Sequence, residues 1–89
     1  MGDTSIPQGS TAILDRVEGN LYVADDAVVK AKDSKAITVL GTIHCKGDCI
    51  FDCSVSATSL KGSDGRVTVR GDLVIGRSVR IDDGSLSVE

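Results

Sequence analysis

A bulky apolar residue recurs every six positions from Val17 onward. The series runs Val17, Val23, Val29, then after a slip of four residues Val39, Cys45, Phe51, Ala57, Ser63, Val69, Ile75 and Ile81. Ten of these eleven positions are apolar in a chain that is 40% hydrophobic, where chance would give about four. A second register lies four residues after each anchor: Leu21, Ala27, Asp33, Ile43, Cys49, Val55, Lys61, Val67, Leu73, Val79 and Ser85. Eight of those eleven are apolar as well. Gly19, Asp25, Gly41, Gly47, Gly65, Gly71 and Asp83 fall between the two registers. A fixed period of this kind decides the architecture before any single residue does.

Each unit of six reads as a short strand and a corner. Leu21-Tyr22-Val23 alternates in, out, in; Ala24-Asp25-Asp26 turns; Ala27-Val28-Val29 alternates again. Alternation over three residues belongs to a strand and not to a helix. Gly and Asp at the corners tolerate the unusual φ values that a sharp bend demands. Three such units make a coil of about eighteen residues, and coils stack as parallel strands about 4.8 Å apart. The expected fold is all-β: a single-chain parallel β-solenoid, triangular in section, with an aliphatic interior and about four coils.

The competing folds fail on spacing. Apolar residues nowhere follow a helical stripe for more than one turn, and ten Gly would cost a helical domain about 1 kcal/mol each. A sandwich or barrel needs longer strands and turn signals about eight to twelve residues apart. Aromatic residues make up only 2% of the chain, which suits a narrow prism filled by Val, Ile, Leu, Ala and Cys. That scarcity, with a net charge of −3, argues against nucleic acid as a partner.

Residues 1–10 read as a flexible N-terminal arm and residues 11–89 as the solenoid domain. Ala31 to Ala36, where the register slips, should bulge from a corner as a polar loop. Further irregularities are expected at Ser59 to Arg66, where Leu60 turns inward one residue early, and at Asp82-Asp83-Gly84, which moves the inward pattern to Leu86 and Val88. No apolar stretch is long enough for a spanning helix or a signal peptide, so the expected location is cytoplasmic, with three reduced Cys.

His44, Cys45, Cys49 and Cys53 form the one cluster resembling a site. Zinc takes paired Cys at close spacing, yet Cys45 and Cys49 both fall in core registers and His44 points the other way. Core packing is therefore the expectation, with Cys53 at a corner and the most exposed of the three. The acidic corners Asp25-Asp26, Asp64-Gly65 and Asp82-Asp83 lack a regular calcium-binding repeat and read as solvated turns. The paired glycines precede no helix, so they are not a phosphate loop. A hexad-repeat acyltransferase pattern appears clearly only at Ile75–Arg80, and the lone His sits in a strand. The chain is not expected to be an enzyme, and no cofactor or metal is expected.

The stretches Val17-Glu18-Gly19-Asn20-Leu21-Tyr22-Val23, Val39-Leu40-Gly41-Thr42-Ile43 and Val69-Arg70-Gly71-Asp72-Leu73-Val74-Ile75-Gly76 resemble the coils of bactofilins, the polymer-forming cytoskeletal proteins of bacteria with relatives in archaea. The resemblance covers roughly Val17 to Glu89. It implies a right-handed β-helix whose subunits join end to end into nucleotide-independent filaments. It also implies that a short tail, here residues 1–10, attaches to a membrane or a protein partner.

The chain closes in a strand-like run, Ser85-Leu86-Ser87-Val88-Glu89, without a polar capping segment. An uncapped solenoid end exposes strand edges and aliphatic core to another chain. Self-association is therefore expected through Ile13, Leu14 and Val17 at one end and Leu86 and Val88 at the other. The alternative is a β-solenoid docking domain within a larger protein or enzyme complex.

Overall fold

Val39, Ala57 and Ile75 stand directly over one another in successive turns, each the register partner of the next. The same holds for Leu21, Ile43, Leu60 and Val79. The computed structural model describes residues 2–32 and 36–89, and every regular element in them is a strand. The elements are β1 (Thr4–Ile6), β2 (Thr11–Leu14), β3 (Arg16–Val17), β4 (Leu21–Val23), β5 (Ala27–Ala31), β6 (Ala36–Lys46), β7 (Cys49–Asp52), β8 (Ser54–Ser63), β9 (Arg66–Val69), β10 (Leu73–Asp82) and β11 (Ser85–Val88). All recorded pairings are parallel. The chain is a β-solenoid of about five turns.

The strands make three faces. The first stacks β1, β4 and the C-terminal halves of β6, β8 and β10. The second stacks β2, β5, β7, β9 and β11. The third stacks β3 with the N-terminal halves of β6, β8 and β10. Where the third face meets the first, register shifts fall between Val39 and Thr42 in β6 and between Ile75 and Ser78 in β10. β8 passes that corner with one residue fewer than β6, which is why Leu60 turns inward early.

Residues 4–6, expected to lie in a flexible arm, instead open the stack. Thr4, Ser5 and Ile6 pair with Leu21, Tyr22 and Val23, and Ile6 is buried. This strand supplies the fifth turn. The slip at Ala31 to Ala36 separates β5 from β6 as expected, although Asp33, Ser34 and Lys35 lie outside the described residues.

Inward positions are filled by Val, Ile, Leu, Ala, Cys and one Phe, and no polar or charged side chain is buried among the described residues. Parallel stacking satisfies the backbone of each face. The corners are satisfied by side chains, always in one direction. Asp3 accepts the N–H of Asn20 (2.8 Å), and Asn20 accepts that of Thr42 (2.9 Å). Asp25 accepts the N–H of Asp48, and Asp48 that of Arg66, both at 2.8 Å. Ser54 accepts the N–H of Asp72 at 2.9 Å. In every case the acceptor belongs to one turn and the donor to the next, so each corner ties its turn to the following one. Gly47 sits against the Asp25 carboxylate with φ +80°, and a Cβ there would collide with it. Only glycine meets both demands.

Candidate functional site

His44, Cys45, Cys49 and Cys53, the one cluster resembling a site, are divided between the two sides of the wall. His44 lies on the outer side of the first face and stacks on Tyr22, with ring centroids 4.8 Å apart and planes 8° from parallel. Cys45 and Cys49 are inward as expected, yet they are not reduced. They form a disulfide across the corner between the first and second faces, with Cα atoms 6.3 Å apart. Two inward Cys flanking a tight corner are brought within bonding reach, a consequence that core registers alone did not reveal. Cys53 sits at the bend between β7 and β8 and is, as expected, the most exposed of the three, yet at 6% it too is buried. It continues the inward alternation of Cys49 and Phe51, and that i, i+2, i+4 spacing was the missed signal. Burial pushes its thiol pKa up, the neighbouring Asp52 charge adds to this, and a backbone hydrogen bond at Ala31 partly offsets both.

The acidic corners behave as structural turns. Asp26, Asp64 and Asp83 have φ of 60°, 59° and 53°, in the left-handed region that Asp tolerates better than most residues. The carboxylate oxygens of Asp25, Asp26 and Asp48 lie within 4.8 Å of one another, but Asp25 and Asp48 are engaged by the backbone of the next turn.

The residues expected at joining surfaces are placed unequally. Ile13 is 63% exposed but projects outward, in register with Lys30. Leu14 is half-buried beside Ala31, and Val17 is buried beneath the stack's surface at 2% exposure. Leu86 and Val88 occupy inward columns over Val67 and Val69. Leu86 is half-buried and Val88 49% exposed.

No known protein family, curated protein or solved structure matches this chain. Its surfaces must therefore speak through their own chemistry.

Two surfaces differ from the rest. One is the last described turn, where Leu73, Ile75, Ile81 and Leu86 are only partly buried and Val79 and Val88 are exposed. These side chains hold inward columns at the end of the described stack, where β10 and β11 pair on one side only among the described residues. The other is a groove along the outer side of the first face. Tyr22, His44 and Lys61 line one side, Lys46 and Ser63 the other, and the chain around Val23 and Cys45 forms the floor. Sequence reasoning missed this groove because it depends on which outward residues become register neighbours.

Proposed function

We propose that this protein is a structural scaffold whose solenoids join end to end into nucleotide-independent filaments. The observation that supports the reading is the last described turn, whose inward aliphatic side chains are partly open and whose strands pair on one side only among the described residues. At the opposite end, β1, β2 and β3 likewise pair on one side only among the described residues. A parallel ladder laid on a parallel ladder continues both the hydrogen bonding and the apolar columns. Ends that differ in this way make a heterologous contact, which propagates. In this reading the chain does no chemistry of its own.

Light scattering and negative-stain microscopy at rising concentration test the proposal. Filaments are expected, and Leu86→Lys or Val88→Lys should shorten them while the middle turns stay folded. A monodisperse monomer at every concentration overturns it.

The alternative, a docking domain within a larger assembly, draws support from the outward Tyr22–His44 stack, which the core does not require. The leading reading places the scaffold in the cytoplasm, and thiol trapping in intact cells tests that location. Cys45 and Cys49 found oxidised in cells would favour an oxidising compartment instead.

A further inference from the structure

The first-face groove carries more cationic than anionic charge in a chain whose net charge is −3. Lys46 and Lys61 line it, and neither joins an ion pair among the described residues. His44 shares its turn with Lys46 and lies one turn before Lys61 in the stack. In the next turn Arg80 continues the column of Lys61. The one acid lining the groove, Asp82, is already paired with Arg80 at 3.3 Å.

The acids gather on the neighbouring corner. Asp25 and Asp26, Asp48, Asp64 and Asp83 occupy the corner between the first and second faces in four successive turns. Asp26, Asp64 and Asp83 stand at its tips, where their positive φ turns the chain back. All three side chains are exposed. Arg66, the cation just past this ridge, belongs to the second face.

We propose that the groove receives the acidic ridge of a second copy, so that solenoids pack side by side. This deepens the scaffold reading, but it stands on residues away from the joining ends. Three properties support the fit. The charges are opposite, and Lys46 and Lys61 join no ion pair among the described residues. The ridge is a convex prism corner and the groove is concave. The ridge repeats once per turn at the strand spacing of about 4.8 Å, and Lys46 and Lys61 stand in adjoining turns on the two sides of the groove, so successive acids can meet one lysine each. Groove and ridge are different patches, so the contact is heterologous and builds rows instead of closed pairs.

Sedimentation velocity on protein carrying Val88→Lys, which should weaken end joining, isolates the lateral contact. Association is expected at about 20 mM salt and its loss at about 500 mM, because exposed charges are screened within a few ångströms at high ionic strength. Lys46→Glu with Lys61→Glu removes the groove's charge. Asp26→Asn with Asp64→Asn removes two tips, and Asn keeps the left-handed backbone accessible. Each pair should weaken association about tenfold or more.

Mixing the two variants should restore heterodimers and nothing larger, because one copy keeps its ridge and the other its groove. Circular dichroism checks folding, and Lys46→Gln with Lys61→Gln substitutes if the reversed pair unfolds. Low-salt association that survives either variant, or a mixture that stays monomeric, overturns the proposal. So does a protein that remains monomeric at low salt while binding polyglutamate, which would make the groove a site for acidic peptides. Failure of end joining shows separately, as missing filaments at high salt in protein without Val88→Lys.

Discussion

Cys45 and Gly62 are register partners on adjoining turns, so the disulfide of one turn faces bare backbone in the next. Ile81, one turn further on, leans into the space: a Cβ on Gly62 would lie 2.9 Å from its Cδ1 and 3.0 Å from Cγ2 of Val67. Gly62→Val should therefore overpack the column and destabilise the fold by about 1–3 kcal/mol. Urea unfolding checks this, and a neutral result would mean that the column is looser than its geometry indicates.

Phe51 is the largest fully buried side chain and lies between Val29 and Val69 in its column. Phe51→Ala should cost about 3–5 kcal/mol, a large share of the stability of a domain this small. Loss of cooperative unfolding in the variant is the expected readout.

Asn20 both donates its N–H to Asp3 and accepts that of Thr42. Asn20→Ala leaves the part-buried Thr42 N–H without that acceptor, at a cost of about 1–3 kcal/mol. Hydrogen exchange at Thr42 should accelerate in the variant, more than exchange at Phe51.

Reduction of Cys45–Cys49 opens a short loop, for which chain entropy predicts a loss of about 2 kcal/mol. Thiol counting in denaturant should find one free thiol before reduction and three after it. Three thiols before reduction would refute the pairing.

The Cys53 thiol has a raised pKa in the folded chain. The unfolded chain therefore gives up its proton first as pH rises, and folding stability from this group is complete below the ordinary value of about 9. It should decline as pH climbs from there through the folded pKa. Native protein should also alkylate far more slowly at Cys53 than denatured protein. Comparable rates in the two states would contradict its burial.

The six-residue spacing revealed the faces because each inward position is read independently of the others. Val39, Ala57 and Ile75 fell into one column on spacing alone. Ile6 did not reveal its strand, since it is a lone apolar residue before Pro7 and only its pairing with Val23 places it inside. The disulfide and the Tyr22–His44 stack were hidden for a related reason. Both depend on how a corner folds or on which residues become neighbours across turns, and linear spacing does not fix the register where corners differ in length, as between Tyr22 and His44. Cys53 stands at the expected corner, but its burial was hidden because the inward alternation of Cys49 and Phe51 continues into that bend.

The corners also differ in length. Leu21 and Ile43 are register partners 22 residues apart, whereas Ile43 and Leu60 are only 17 apart. The walls superpose regardless, because the difference in length falls between β5 and β6 and at the register shift in β6, not within the paired runs. A chain with residues inserted or removed there should keep its walls, so likeness between two such chains is better read down the columns than along the sequence.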